Sequence, residues 1–270
     1  MLDEIRQAAL APSFLDFESR PDPESGAAPP SLLFAEWPRR VSAATVRQLE
    51  AQGCTAEEWA RVYLAPAADV SRIRRVDFAG VCLIGAVGGD ALELEPGFTV
   101  AGGLSDASLR DYLVGDGVRL HRCAHVERAD ILRDAVVANC GLIAGGETNA
   151  LGLETPVAFG PETGGRSLPV FPGATSPQLA WLAERLGDAA VMQDYDAICG
   201  KVRARVSRAT ALVGPGAHLF SAGRICRSAL GPGACIYNAS AIEDCVFLGT
   251  EESPVKVGDG VVARRVRAGG

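Results

Sequence analysis

The sequence predicts a mainly β fold in which short strands wind into the stacked coils of a triangular prism, interrupted once by helices. Three observations support this prediction: a six-residue spacing of aliphatic side chains, an internal repeat of that spacing, and the placement of the glycines. The spacing is clearest in the C-terminal third, where it fits neither the 3.6-residue period of a helix nor the two-residue period of a strand. Its aliphatic positions are Val213, Leu219, Ile225, Leu230, Ile236, Ile242 and Leu248.

An internal repeat links this stretch to an earlier part of the chain. Residues 114–131 read VGDGVRLHRCAHVERADI, and residues 213–230 read VGPGAHLFSAGRICRSAL. Both blocks place four aliphatic residues 6, 6 and 5 positions apart, and both carry glycine at their second and fourth positions. Self-similarity of this kind is typical of stacked, quasi-one-dimensional architectures.

Three six-residue units make about one coil of such a prism. The aliphatic residue is expected to point inward, as is the often small residue two positions before it, for example Ala124 or Ala234. The corner follows the aliphatic residue, where glycine adopts backbone angles that cost other residues about 1–2 kcal/mol. Gly115 and Gly214 occupy this position. Burial of each aliphatic side chain contributes about 1.5–3 kcal/mol, and a coil achieves it only against a neighbouring coil.

Local patterns divide the chain into five segments. A beginning rich in Pro, Gly, Ser and Glu predicts a mobile tail. Two helical patterns follow, one capped by Ser42 and one with the capping-box spacing of Thr55 and Glu58. A later helical stretch begins at Ser176 and Pro177. The predicted segments are a mobile tail over 1–40, a helical lead-in over 41–66, a first section of the prism with loops over 71–175, a helical insertion over 176–208 and a second section over 209–270.

Composition limits the class of protein. With 48% hydrophobic and 6% aromatic residues, the core is expected to consist of Val, Leu, Ile and Ala. The net charge of −7 argues against a nucleic-acid partner or an anionic membrane. The sequence has no signal-peptide pattern at its start and no apolar run near the length of about 20 residues that spans a membrane. The eight cysteines include no CxxC pair, which favours reduced thiols and a cytoplasmic location.

The six-residue pattern resembles the left-handed parallel β-helix of hexapeptide-repeat proteins. This resemblance implies the left-handed coil, an exception to the right-handed rule for crossover connections, and it implies a homotrimer. The expected fold is therefore mainly β, a left-handed parallel β-helix in two sections with an N-terminal helical pair and a helical insertion. An ordinary β-sandwich with chance spacing is the alternative.

A more specific resemblance rests on PETGGRSLPVFPGATSPQLAWL at 161–182, together with LEAQGCTAEEWARVYLA and SRIRRVDFAGVCLIG. These segments are similar to an uncharacterised bacterial hexapeptide-repeat family, domain of unknown function 4954, over roughly residues 41–270. The family implies a shared Glu-Thr-Gly-Gly-Arg stretch between the first section and the helical insertion. The tail is extra, and family members continue through more coils, so the chain is expected to be a natural short form or a fragment.

The Glu-Thr-Gly-Gly-Arg stretch is the first candidate site. Gly164 and Gly165 can curl backbone N–H groups into a nest that binds an anion, and Arg166 offers a two-pronged contact to phosphate or carboxylate. Glu162 can orient Arg166 or a substrate hydroxyl and is a candidate catalytic residue. Thr163 completes the candidate ligand site. The alternative is a tight, exposed turn with an internal Glu–Arg ion pair.

The histidines of the HRCAH segment form the second candidate site. In the prism, Cys123 and His125 are expected to point outward and His121 to lie at a corner. Hexapeptide acyltransferases, which the pattern resembles, use an outward histidine as general base in a groove between subunits. The resemblance makes His125 the candidate base and His121 a candidate ligand contact; surface histidines without function are the alternative. No metal site is expected, because His-x-Cys-x-His along one strand does not give tetrahedral geometry.

A Gly-rich break, GGETNALGLETP, contributes Glu147 and Asn149 as further candidate ligand contacts. It is expected to form a loop that leaves the prism, and such loops often shape binding grooves. The alternative is an excursion without a ligand.

Two classes of function stay open. One is a transferase-like protein that binds a sugar, a sugar phosphate or a nucleotide-sugar, with acyl or nucleotidyl transfer unassigned and the cofactor unknown. The other is a non-catalytic binding or assembly module on a rigid scaffold. A groove that brings His125 near Arg166 would favour the first, and placement on opposite faces would favour the second.

Overall fold

Short strands stacked in parallel dominate the structure, a computed structural model. It describes residues 1–16, 31–89, 91–95, 97–151, 153, 156–158, 166–250 and 252–269. Within these residues, nineteen strands form one large, mainly parallel sheet that curls round on itself, accompanied by two small antiparallel pairs and four α-helices. The fold is therefore mainly β, as predicted, and is consistent with a parallel β-helix.

The helices and strands have the following bounds. The helices are α1 (Leu2–Leu10), α2 (Ala43–Ala51), α3 (Ser176–Ala183) and α4 (Ala189–Val206). The strands before α3 are β1 (Arg39–Arg40), β2 (Thr55–Ala56), β3 (Val62–Leu64), β4 (Ile73–Ile84), β5 (Ala91–Glu95), β6 (Phe98–Ala101), β7 (Gly103–Val114), β8 (Arg119–Glu127), β9 (Ala129–Ile131), β10 (Val136–Ala138), β11 (Leu142–Ala144), β12 (Val157–Ala158) and β13 (Ser167–Leu168). Those after α4 are β14 (Ala211–Val213), β15 (His218–Phe220), β16 (Arg224–Cys226), β17 (Ala229–Leu230), β18 (Cys235–Tyr237), β19 (Ala241–Glu243), β20 (Val246–Leu248), β21 (Lys256–Val257), β22 (Val262–Arg264) and β23 (Arg267–Gly269).

Three parallel ladders make up the curled sheet, and we name them faces A, B and C. Face A includes β10, β15, β18 and β21; face B includes β11, β16, β19 and β22; face C includes β9, β14, β17, β20 and β23. The long strands β4, β7 and β8 bend and contribute to more than one face. In the regular coils, ladder partners lie 17 residues apart, as Leu120 and Val137 do on face A and Ile225 and Ile242 on face B.

Aliphatic side chains from the three faces fill the interior of the coil. The predicted repeat is confirmed in its placement, because its two blocks put equivalent residues on equivalent faces. Leu120 and Leu219 lie on face A and both flank Val137 in the ladder, while Ile131 pairs directly with Val213 on face C. All five of these side chains have no exposed surface, which is the close packing that a stacked core requires.

The last position of the predicted series is wrong. Phe247, not Leu248, is the partner of Leu230 on face C and packs in the core, and Leu248 is only partly buried outside it. The same kind of error affects face B, where the second inward residue comes three positions before the aliphatic one. Cys123 is therefore buried in front of Val126, whereas Ala124 is exposed.

A left-handed residue at each corner explains these shifts. Arg122 (φ 52°) precedes Cys123, and the residue after such a corner points inward on each face. On face A the corner is at Gly117 (φ 72°), and its inward residues Val118 and Leu120 follow one and three positions later. On face B the aliphatic residue Val126 follows its corner by four positions, one more than on face A. The six-residue spacing of the aliphatic residues is the same on both faces, so it does not show which residue before the aliphatic one points inward.

The corner glycines serve a different purpose from the predicted one. Left-handed angles fall at Gly117 and Gly216 (φ 62°), and also at non-glycine residues such as Asn139 and Asn238. At Gly214, by contrast, a Cβ would lie 2.6 Å from the backbone carbonyl carbon of the glycine in the next coil. Glycine is required there because neighbouring coils approach closely, not because of the backbone angle.

The lead-in segment contains one of the two predicted helices. Ser42 caps α2 by accepting a hydrogen bond from the N–H of Thr45. The second predicted helix is wrong: its residues form β2, a 3₁₀ turn and β3, which begin the coil. Alternation explains this, since Val62 and Leu64 are buried on either side of the partly exposed Tyr63, and ladder pairing with β4 outweighs local helix propensity.

Helices cover face C, while faces A and B have no helical cover among the described residues. The outward residues of face C, such as Leu212 and Val246, pack with α1, α4 and the segment around Phe34 in a second apolar cluster. The mobile-tail prediction is thus wrong for residues 1–16 and 31–40, where Ile5 and Leu33 have no exposed surface. The remaining part of that tail, residues 17–30, lies outside the described residues.

The helical insertion agrees with the sequence. Helices α3 and α4 lie within residues 176–206, and Thr175 caps α3 in a capping box with Gln178. The chain leaves the coil at Gly145 and returns at Ala209, whose carbonyl accepts a hydrogen bond from the N–H of Gly146. An antiparallel hairpin of β5 and β6, which sequence patterns did not indicate, interrupts the first section.

Candidate functional site

The outer surface of face A carries a connected group of chemically active side chains. Its parallel register stacks one outward column across five coils. We call this column the face A strip; its members are Ser105, His121, Ala138, Phe220 and Tyr237.

His121 is the centre of a hydrogen-bonded group at one end of the strip. Its Nδ1 lies 2.8 Å from the hydroxyl oxygen of Ser105 and 3.9 Å from a carboxylate oxygen of Asp106. Arg75 holds that carboxylate with two hydrogen bonds, of 2.6 and 3.0 Å. With the proton on Nδ1, His121 donates to Ser105, and its Nε2 lone pair is available to accept a proton.

The surroundings keep His121 neutral and Asp106 ionised. Burial lowers the pKa of His121, and Arg119 and Arg122 lower it further, against a smaller opposing effect of Asp106. The hydrogen bonds from Arg75 lower the pKa of Asp106. A neutral imidazole beside a fixed carboxylate is suited to take up a proton at neutral pH, since the carboxylate stabilises the imidazolium that forms.

Positive charge surrounds this histidine. Arg119 lies in the neighbouring outward column and donates to the carbonyl of Ala101 at 2.9 Å. Arg122 is exposed at the corner next to His121. Two guanidinium groups beside a neutral base can bind an anionic substrate, since arginine donates to phosphate in two directions.

Aromatic rings occupy the other end of the strip. The rings of Phe220 and Tyr237 stack with centroids 5.5 Å apart and 7° between their planes, and His218 meets Phe220 edge-on at 6.4 Å. Ala138 separates His121 from Phe220 in the register. Two strand spacings of about 4.8 Å therefore leave a gap of about 10 Å above this small residue.

The predicted base, His125, lies on face B and belongs to a different group. Its Nε2 lies 3.2 Å from a carboxylate oxygen of Glu127, and its ladder partner is Leu142. The corner at Arg122 separates it from His121, so the two histidines lie on adjacent faces. Among the described residues, no hydrogen bond or ion pair connects His125 to Arg166.

Of the predicted Glu-Thr-Gly-Gly-Arg site, the structure describes only the arginine. Glu162, Thr163, Gly164 and Gly165 lie outside the described residues, and Arg166 is exposed immediately before β13. Their predicted role in anion binding stays a prediction.

Glu147 and Asn149 lie together where the chain leaves the coil. The side-chain amide of Asn149 donates to the carbonyl of Glu147 at 3.4 Å and its oxygen accepts from the N–H of Leu151 at 2.9 Å. The backbone of Asn149 pairs with that of Arg208, which closes the base of the insertion. These contacts give Asn149 a structural role in the loop, and Glu147 is exposed beside it.

The cysteines are free thiols, and seven of the eight are buried. Burial raises the pKa of Cys82 to about 12, so this thiol is not a nucleophile at neutral pH. Within the described part of the chain, no three His, Cys, Asp or Glu side chains are grouped as metal ligands are. None of its described helices has the length and apolar character that crossing a membrane requires.

Sequence patterns missed Ser105, Asp106, Phe220 and Tyr237 as members of a site. The available signal was the coil length: Ser105 lies 16 residues before His121, and Phe220 lies 17 before Tyr237. Residues one coil apart become neighbours on the same face, whatever lies between them in sequence.

Comparisons with known proteins give a family but no activity. A family model described as a domain of unknown function, number 4954, matches residues 38–268. An uncharacterised protein of Treponema pallidum (strain Nichols) is 22% identical over 236 residues, which cover 83% of this chain and 32% of that protein. The chain thus spans about a third of this relative's length. No solved structure matches the chain significantly.

Proposed function

Since this chain belongs to the family of domain of unknown function 4954, whose description names no activity, we propose its function from the face A strip. The protein is a transferase-like β-helix protein that binds a sugar phosphate or nucleotide-sugar, with His121 as general base. The observation that carries this proposal is the chain of contacts from Arg75 through Asp106 and His121 to Ser105.

The proposed chemistry is group transfer onto a hydroxyl or an amine. Nε2 of His121 removes the proton of the acceptor as its oxygen or nitrogen attacks the donor, and the leaving group departs with the electron pair of the broken bond. Asp106 stabilises the imidazolium, and Ser105 fixes the ring orientation. General-base assistance of this kind contributes about 10²–10⁴-fold in rate.

The proposed substrate class follows from the two ends of the strip. Arg119 and Arg122 supply positive charge for a phosphate beside His121. The gap above Ala138 is wide enough for a planar ring, which can stack on the free side of Phe220. Stacking of this type contributes about 1–3 kcal/mol for a nucleobase, so a nucleotide-sugar suits the strip better than a sugar alone.

A matched pair of histidine variants tests the proposal. The probes are nucleotide-sugars and sugar phosphates, incubated with acyl-coenzyme A or nucleoside triphosphate donors and followed by mass spectrometry. We expect His121→Gln to lose product formation by about 10²-fold or more while it keeps ligand-induced thermal stabilisation. His125→Gln is the control, and it should retain both.

The pH dependence of turnover provides a second readout. Because the pKa of His121 is lowered from its ordinary value, the active, neutral form should already predominate below pH of about 6.5.

Phe220→Ala should weaken nucleotide-sugar binding, while Phe98→Ala, on the β5–β6 hairpin, should not. Loss of activity in His125→Gln with retention in His121→Gln would overturn the assignment of the base.

A left-handed coil, a homotrimer and a cytoplasmic location accompany this proposal. The resemblance to hexapeptide-repeat proteins supports the hand, and eight free thiols support a reducing compartment. The homotrimer rests on the same resemblance; Tyr237 on face A and Val262 on face B, which are 39% and 60% exposed, are apolar side chains that contact with a further copy would bury. Light scattering that gives three chain masses in solution would support the trimer, and a single chain mass would refute it.

The same exposed apolar residues favour a second candidate function, a non-catalytic assembly module. It requires no ligand, so the substrate panel separates the two candidates. Absence of any thermal shift or product from well-folded protein would favour the assembly module.

A further inference from the structure

A cavity of about 330 Å³ lies between α1, α4 and the edge of face C. Its walls come from the end of α1 and the residues after it, from Val202 and Val206 of α4, and from Leu248 with the corner that follows it. None of these residues belongs to the face A strip. The volume is within the range of about 300–1,000 Å³ that is usual for small-molecule sites.

The lining is almost entirely apolar. Arg205 is its single charged side chain among the described residues, and it faces carbonyl oxygens and a carboxylate. Its Nη2 donates to the carbonyls of Ala9 and Ala11 at 3.0 and 3.3 Å, and its Nε lies 2.5 Å from a carboxylate oxygen of Asp16. The ion pair is neutral overall, so a negatively charged ligand gains little and must approach Asp16.

Two hydroxyl groups remain to meet a polar atom of a ligand. The Ser13 oxygen accepts a hydrogen bond from the N–H of Leu15 at 3.2 Å, and the Thr250 oxygen accepts one from the N–H of Ser253 at 3.0 Å. Each hydroxyl therefore keeps its own proton to donate. An apolar cavity with a few hydroxyl donors fits an aliphatic molecule that carries a neutral oxygen.

We propose that this cavity is a binding site for a neutral molecule with an aliphatic chain of about eight carbons, such as a medium-chain alcohol or ester. An apolar cavity of about 150 Å³ binds benzene, so a cavity about twice as large holds about ten non-hydrogen atoms. Each methylene group transferred from water strengthens binding by about fourfold. Binding therefore depends steeply on chain length.

The first experiment titrates the protein with 1-hexanol, 1-octanol and octanoate by calorimetry and by thermal unfolding. We expect 1-octanol to bind about 15-fold more tightly than 1-hexanol, and octanoate to bind more weakly than 1-octanol. At 100 times its dissociation constant, 1-octanol should raise the melting midpoint by about 5–10 °C. Equal affinity for the two alcohols, tighter binding of octanoate, or no binding would each overturn the proposal.

A variant that fills the cavity locates the site. Val202→Phe projects a ring into the space and should abolish the 1-octanol shift without lowering the melting midpoint. Ala190→Phe, at an exposed position of the same helix away from the cavity, is the matched control and should keep the shift. If Val202→Phe does not fold, Ala8→Phe on the exposed side of α1 blocks the same cavity. A 1-octanol shift that survives in the folded blocking variant would place the binding elsewhere and refute the site.

Discussion

Two glycines at one corner of the second section, Gly214 and Gly216, are needed for different reasons, and alanine substitution separates them. A Cβ at Gly214 would lie 2.6 to 2.7 Å from three backbone atoms of the next coil. A Cβ at Gly216 would meet nothing within 4 Å, but the residue has φ of 62°. Gly214→Ala therefore forces two coils apart, whereas Gly216→Ala strains only its own backbone.

The expected losses of unfolding free energy follow from these two causes. For Gly216→Ala, the left-handed angle costs about 1–2 kcal/mol, and the stiffer unfolded chain returns about 0.4–1 kcal/mol, so the net loss is about 1 kcal/mol. Gly214→Ala has the same unfolded-state gain, but its overlap is with backbone, which no side-chain rotation relieves. We expect a loss at the upper end of the overpacking range, about 3 kcal/mol.

Urea unfolding followed by circular dichroism measures both losses. Gly216→Asn is the control for the backbone angle, because asparagine adopts this conformation at Asn139 and Asn238, at corners of the neighbouring coils, and it should lose less than the alanine variant. Equal losses in the two alanine variants, or a larger loss in Gly216→Ala, would refute the distinction between close approach and backbone angle.

Three further predictions concern packing and charge. Phe247→Ala should lose about 3–5 kcal/mol and Leu248→Ala clearly less, as judged by urea midpoints, because only Phe247 faces the core. Leu219→Asp should unfold the second section, since it buries an unpaired charge between coils; a melting curve like that of the wild type would contradict the six-residue spacing. The hydrogen bonds of Arg227 lower the pKa of Asp244, so this half-exposed pair stabilises the protein above the ordinary aspartate pKa and ceases to do so as pH falls through the lowered value. Asp244→Asn should therefore melt below the wild type at pH 7, and the difference should shrink as the pH falls below the ordinary aspartate pKa; a constant difference would contradict the ion pair.

The regular part of the coil could be predicted from sequence because its side chains follow one geometric rule. Each coil takes 17 residues, so buried aliphatic residues such as Leu219 and Ile236 recur at fixed spacing. The helical insertion of α3 and α4 is equally predictable, because its proline near the start and its continuous helical pattern differ from the six-residue pattern of the coil.

The remaining features depend on contacts that local sequence does not encode. The segment around Thr55 has the spacing of a helix cap, yet its hydroxyl bonds to the carboxylate of Asp77 in the next coil, and the segment is a strand. The six-residue pattern predicts the wrong side for Cys123, because the number of residues after a corner differs between faces. Ser105 and His121 meet only through the register of two coils.

The candidate site depends even more on contacts between residues that are distant in sequence. Histidine in an outward position could be recognised from the pattern, but the choice between His121 and His125 depends on their neighbours. The neighbour of His121 is Asp106, whose carboxylate is fixed by an arginine in another coil. The neighbour of His125 is Glu127, which lies two residues further along the same strand. Sequence alone does not show which carboxylate is held in place beside its histidine.

The helical insertion also has a consequence for the order of folding. Ile143 and Val213 are successive branched aliphatic residues of the coil's core, yet 70 positions separate them, whereas five separate Ile225 and Leu230. Closing the longer loop costs about 2 kcal/mol more in chain entropy. The coils on either side can therefore form from local contacts first, and their junction is expected to be the slow step, with backbone amides there protected last when refolding is followed by hydrogen exchange.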